Sequence, residues 1–259
     1  MGEFLGFGGY QRQPEGYMSW QHLVFVGSLL VIMAVLATVL GIRNRQKDLQ
    51  QKNCALIVAA IAIDAVELFK IVVMCLRAKD PMGWTTELPL FLCSIQLITL
   101  PLAAFSKGRV QEAALDFVCI FGLLGAVLGT VGAGQNYNCY PVLSLDNVAS
   151  GLTHCISGFA SLYLMISGKA CLKKENMILT FGILTAFCIM AFIANAILDY
   201  NYMFLVRGDG TPYDVLYNLV GGNPILYPMG VVGLFLVYIS AFYGIHFCIQ
   251  KKKKAVANV

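Results

Sequence analysis

The chain has 259 residues, of which 58% are hydrophobic and only 12% charged, and its net charge is +4. A soluble domain carries roughly 25% charged residues, so the composition excludes an ordinary soluble globule and points to an integral membrane protein. The basic residues fall in short clusters between apolar runs rather than on one face, which excludes a nucleic-acid surface as their purpose.

The chain opens with MGEFLGFGGYQRQPEGYMSW. This segment lacks the basic start of a signal peptide. The apolar stretch that follows exceeds the about 7–15 residues of a signal-peptide core, so the first span is retained. Gly6 stands where myristoylation wants Ser or Thr. Seven apolar stretches then follow, at 22–42, 54–76, 87–106, 112–133, 147–167, 177–198 and 225–248. Each is near the about 20 residues that a helical span needs. Helix is the economical reading, because an unpaired amide in lipid costs several kcal/mol and no barrel-type alternation is visible. The expectation is therefore all-α: a polytopic membrane protein with a seven-transmembrane-helix bundle. It divides into an extracytoplasmic N-terminal segment (1–21), the transmembrane domain (22–249) and a basic cytoplasmic tail (250–259).

Lys and Arg set the orientation. Arg43, Arg45, Lys47, Lys52, Lys107, Arg109, Lys169, Lys173, Lys174 and Lys251 to Lys254 fall on one side, against Arg12, Arg77, Lys79 and Arg207 on the other. The positive-inside rule puts the N-terminus outside and the C-terminus in the cytoplasm. Two outer loops stand out. GAGQNYNCYPVLSLDN (132–147) has no basic residue, and the long loop after the sixth span mixes turn signals (GDGTP, GGNP) with aromatics, as an interfacial lid would. The tetralysine tail suits anionic headgroups at about 1 kcal/mol per lysine, or is a solvated topogenic signal. No internal repeat is visible.

The nine cysteines are an odd number, mostly inside apolar runs, and do not read as a disulfide framework. No paired Cys/His spacing of the zinc type occurs, so neither a metal nor another cofactor is expected.

The third span carries Cys93, Ser94 and Gln96 within four residues. At 1.5 Å per residue, Cys93 lies about 9 Å below the outer edge and Gln96 one turn deeper. On the fifth span His154 reaches about 10 Å, and on the second Lys70 about 9 Å and Glu67 about 13 Å. Asn195 lies near the outer end of the sixth span, with Asp199, Asn201 and Tyr202 just above it. Ionisable groups in lipid cost a few kcal/mol each unless they face partners or water. That cost draws these groups into one polar cavity. Ser150, His154, Ser157, Gly158 and Ser161 share a helical stripe whose small residues let a neighbouring helix approach, so His154 faces protein.

A cysteine that meets a histidine is an acyl-transfer device: the imidazole takes the thiol proton and the thiolate attacks an ester carbonyl. Gln96 or Asn195 would orient the ring or donate to the oxyanion, worth ~3 kcal/mol when well placed. The plainer readings are a buried cysteine acting as a small hydrophobe, an internal Glu67–Lys70 salt bridge at i,i+3, and terminal, solvated His22 and His246. A non-enzymatic transporter or sensor, binding a small polar ligand in the same cavity, is the alternative.

ELPLFLCSIQL (87–97), THCISGFASLYL (153–164) and NYMFL (201–205) resemble the YwaF-like family of bacterial integral membrane proteins, over about residues 25–245. That family resembles a vertebrate transmembrane phospholipid acyltransferase and, more distantly, androgen-induced membrane hydrolases of lipid esters. The resemblance implies a nucleophilic Cys93 and a basic His154, 61 residues apart. It also implies a phospholipid or lysophospholipid substrate and a multi-pass place in a bacterial plasma membrane. Members of the family often have a His two residues before the Cys; here that position is Phe91.

Overall fold

Three of the long helices begin where a short polar side chain meets an apolar run. Ser19 accepts the N–H of His22 (3.2 Å), Asp48 that of Gln51 (2.7 Å) and Ser144 that of Asn147 (3.3 Å). Each cap satisfies an amide that the helix itself leaves unpaired. The computed structural model describes residues 2–169 and 172–257, with side chains as far as Lys251. The side chains of Lys252 to Lys254, and with them most of the proposed headgroup-binding tail, lie outside the described residues.

The chain forms two compact units, Met1–Cys171 and Leu172–Val259. In the first, a short α1 (Gly2–Leu5) precedes α2 (Trp20–Asn44), α3 (Leu49–Ala78), α4 (Gln96–Phe105), α5 (Gly108–Val131), α6 (Gly134–Cys139) and α7 (Leu145–Ser167). Helix α7 is the hub, packed on α5, α2 and α3. The α5–α7 seam is made by small residues. A Cβ on Gly122 would stand 2.6 Å from the Ser157 carbonyl, so only glycine fits there. Ser161 Oγ donates to the Cys119 carbonyl at 2.6 Å. This close approach is how helices associate in lipid, where burial of apolar surface gives no drive. The serine and glycine stripe of the fifth predicted span does face protein.

In the second unit α8 (Met177–Leu198) is followed by a 3₁₀ turn (Tyr202–Phe204), α9 (Tyr213–Leu219) and α10 (Leu226–Ala257). Thr180 and Tyr243 hydroxyls join α8 to α10 at 3.0 Å. Among the described residues five helices are long and apolar enough to cross a membrane, corresponding to the first, fourth, fifth, sixth and seventh predicted spans.

Two predicted spans differ. The second lies within α3, which is long enough at 30 residues but carries Asp64, Glu67 and Lys70 along its middle. The third is not a continuous helix over 87–106: only Gln96–Phe105 is α-helical, after a 3₁₀ turn at Gly83–Glu87 and an irregular stretch at 88–95. Pro89 has no N–H for a helical bond. Ser94 closes a local loop, its Oγ accepting the Phe91 N–H at 2.9 Å and donating to the Phe91 carbonyl at 3.1 Å. The depth of Cys93 therefore does not follow from a helical rise per residue.

The N-terminal segment is tied down. The Tyr10 hydroxyl donates to Asp146, which also takes both guanidinium nitrogens of Arg77 at 2.8 Å. Glu15 accepts the Val142 N–H at 2.7 Å, and the Tyr17 hydroxyl donates to the Val131 carbonyl at 2.8 Å. His22, expected to be solvated, is instead fully buried between the Tyr17 and Tyr137 rings. Tyr17 and the Met18 N–H, at the end of the strap of residues 10–18, lie against it.

Candidate active site

The irregular stretch before α4 places Cys93 beside α7, where its thiol and the His154 imidazole come within interaction range. Irregular backbone at membrane depth persists only where protein or a cavity surrounds it. Both residues are partly exposed, as a reacting pair must be.

The ring is oriented from its own helix. His154 Nδ1 lies 2.7 Å from the Ser150 carbonyl, with Ser150 Oγ at 3.5 Å. A carbonyl can only accept, so Nδ1 carries the proton and Nε2 is left with a lone pair for the thiol. The opposite wall is α5. A Cβ on Gly129 would fall 1.8 Å from the His154 ring, and one on Gly125 would touch Cys93 at 3.4 Å. The Gly125 and Gly129 pair, at i,i+4, is thus the floor on which the two side chains meet.

The backbone N–H groups of Cys93 and Ser94 lie beside the Cys93 sulfur. Gln96, in the first turn of α4, is fully buried; it accepts from Thr99 Oγ1 at 3.3 Å, and its Nε2 has no partner. A buried amide donor without an acceptor costs about 1–3 kcal/mol, which marks it as waiting for one.

Lys70 is nearly buried and bridges Glu67 at 2.7 Å and Glu87 at 2.8 Å. The predicted i,i+3 pair is therefore a three-membered cluster. It ties α3 to the start of the segment that carries Cys93, and Lys70 lies within electrostatic reach of His154. Ser157 turns to α5, its Oγ 3.5 Å from the Gly122 carbonyl, and serves the helix seam.

The remaining candidates belong to the second unit and are bonded within it. Asn195 grips the Tyr202 backbone at both ends, Nδ2 to its carbonyl at 3.1 Å and Oδ1 from its N–H at 2.6 Å. Asp199 ends α8 in a left-handed conformation, φ 49°. Asn201 organises the following loop, donating to the Arg207 carbonyl (2.8 Å) and to Asp209 (2.7 Å). Tyr202 is fully buried.

Glu87, Gly125, Gly129 and the Ser150 carbonyl were not anticipated. The sequence did hold one sign of them, the GAVLG run at 125–129, a small-xxx-small pattern of the kind that lets a second chain segment approach.

No curated relative and no solved structure matches this chain. Its residues 17–246 match the TMEM164 family, a stretch that takes in both units and every residue of the candidate site, and the chain is accordingly an integral membrane protein belonging to the TMEM164 family.

Proposed function

We propose that the protein transfers or hydrolyses lipid acyl esters, with Cys93 as nucleophile and His154 as general base. The observation that carries this reading is the meeting of thiol and imidazole, with the ring held in the tautomer that leaves Nε2 free. Nε2 takes the thiol proton as sulfur adds to the ester carbonyl carbon. The C–O bond then breaks, and the leaving lysolipid oxygen takes the proton from the imidazolium. An acyl thioester remains on Cys93. A second hydroxyl, from a lysophospholipid or from water, loses its proton to His154, attacks the thioester and frees the thiolate, which regains that proton.

The N–H groups of Cys93 and Ser94, with the unpartnered amide of Gln96, supply donors for the oxyanion. One such donor is worth about 10²–10³ in rate. The likeness of the Cys93 and His154 stretches to the YwaF-like family, and through it to a vertebrate phospholipid acyltransferase, agrees with this chemistry. The distribution of Lys and Arg places the N-terminus outside and the C-terminus in the cytoplasm. The dyad then lies in the outer half of a cell membrane, within reach of ester carbonyls.

One observation favours a non-enzymatic binder of a small polar ligand: the interrupted third span, a feature of substrate sites in transporters. An experiment separates the two. The purified protein is given a phospholipid labelled in its acyl chain and an unlabelled lysophospholipid. The enzyme reading expects label in the acceptor or in free fatty acid, reduced about 10³-fold or more in Cys93→Ala and in His154→Ala. Lipid binding without turnover in all three proteins contradicts it.

A further inference from the structure

At the end of the first unit away from Cys93, three helices are locked by one polar chain. Asn44 at the end of α2 donates to the Tyr163 hydroxyl of α7 at 3.0 Å, and that hydroxyl donates to the Lys52 carbonyl of α3 at 2.9 Å. The lock holds two lysines on neighbouring elements. Lys52 is 8% exposed. Lys169, just past α7, lays its Nζ 3.4 Å from the Leu49 carbonyl, one turn before Lys52. Among the described residues neither ammonium has a carboxylate within ion-pair distance. Asp48, the acid next to them in sequence, instead caps the Gln51 N–H at 2.7 Å. The other charges at this turn, Arg43, Arg45 and Lys47, are of the same sign and exposed.

Lys52 and Lys169 are thus like charges on neighbouring elements, and most of the Lys52 residue is covered by the fold. A native fold keeps such an arrangement where an anion completes it. Burial, and then the charge on Lys52, hold the Lys169 ammonium below the ordinary lysine range.

We propose that Lys52 and Lys169 form a phosphate site, set on the rigid junction of α2, α3 and α7 and separate from the Cys93–His154 pair. A phosphodiester or phosphomonoester fits: it is anionic, carries several acceptor oxygens and accepts from two ammonium groups at once. The group is presented either by an anionic phospholipid of the leaflet at that end or by a free phosphate compound.

The test uses the whole purified protein in detergent micelles doped with phosphatidylglycerol, with phosphatidylcholine alone, or with phosphatidylcholine plus inorganic phosphate. The readout is the thermal unfolding midpoint as the additive is titrated, which rises with ligand bound to the native state. Wild type is compared with Lys52→Met/Lys169→Met, which keeps the apolar stems. The control is Arg43→Met/Arg45→Met, which removes two exposed charges. At about 1 kcal/mol per lysine, the lysine pair variant weakens apparent phosphatidylglycerol affinity roughly thirtyfold; the arginine control, whose exposed and mobile charges are screened and hold no fixed site, weakens it less. A response to phosphatidylglycerol alone assigns the site to a lipid headgroup; a response to inorganic phosphate as well assigns it to phosphate in general. Equal losses in the two variants, or an undiminished response in the lysine variant, overturn the proposal.

Discussion

The two units differ in how they satisfy the polar groups of the candidate site. In Met1–Cys171 the polar side chains meet across long sequence distances: Cys93 with His154, Lys70 with Glu87, Arg77 with Asp146. In Leu172–Val259 one hydroxyl pair, Thr180 with Tyr243, joins two helices, while the loop amides are satisfied nearby, Asn195 by Tyr202 and Asn201 by Arg207 and Asp209. Polar groups at a similar predicted depth are therefore satisfied by different means. Lipid only requires that each be satisfied. An amide can close on the backbone of its own loop, whereas a thiol, an imidazole or an ammonium does so poorly and is drawn to a partner from another helix.

The largest expected effect that sharpens this contrast is at Gly129. Gly129→Ala puts a methyl 1.8 Å from the His154 ring, and neither helix backbone can give that much. Acyl transfer should fall by about 10²-fold or more, since a misplacement of about 1 Å costs that much. The added strain is roughly 1–3 kcal/mol. Gly182→Ala in α8, where a Cβ meets nothing within 4 Å, should by contrast be neutral or stabilising by up to about 1 kcal/mol. Equal activity in Gly129→Ala and wild type would mean the ring does not work where it is seen.

Lys70→Met comes next. It leaves Glu67 and Glu87 facing each other without their shared cation, and the loss in unfolding free energy should be about 3 kcal/mol. Lys70→Arg should recover much of it. Asn195→Ala then tests the second unit: the buried Tyr202 N–H and carbonyl both lose their partner, for about 2 kcal/mol. A negligible change in the unfolding midpoint would show that its loop is not held by local bonding.

The smallest effect concerns the N-terminal strap. The Tyr10 hydroxyl is pushed up from 10.0 to about 12 by burial and then by Asp146. The folded state favours the neutral phenol. The strap is therefore fully held below pH 10 and loosens as the pH climbs towards 12. Limited proteolysis between residues 10 and 18 should accelerate over that window, and Tyr10→Phe should abolish the pH dependence while costing about 1 kcal/mol.

Much of this was legible in the sequence. Hydropathy alone gives the helical membrane character and the places of five spans, because a span's length and polarity are local properties. The inward stripe of α7 followed from its serine and glycine spacing. The interruption at 88–95 was less visible. Pro89 and Ser94 were there to be read, but a proline is equally at home in the first turn of a continuous helix. The partners Glu87 and Asp146 could not be read, because pairing across 17 or 69 residues depends on how the helices pack. His22 misled because its place near a span end suggests water, whereas Tyr17 and the Met18 N–H, at the end of the strap of residues 10–18, lie against it. The local bonding of Asn195 and Asn201 was not legible either, because depth carries no information on how the loop after α8 folds back.

The account depends most on the contact between the thiol at 93 and the ring at 154. Alkylation by N-ethylmaleimide, mapped to each cysteine by peptide mass analysis across a pH series, measures it without knowledge of the substrate. The expected result is that Cys93 is labelled in wild type at a pH where Cys119 and Cys155 are not. His154→Ala should slow labelling of Cys93 about tenfold or more, by withdrawing the base that makes it a thiolate. Labelling of Cys93 at the same rate and with the same pH profile in wild type and His154→Ala would contradict the pairing, and the proposed chemistry with it.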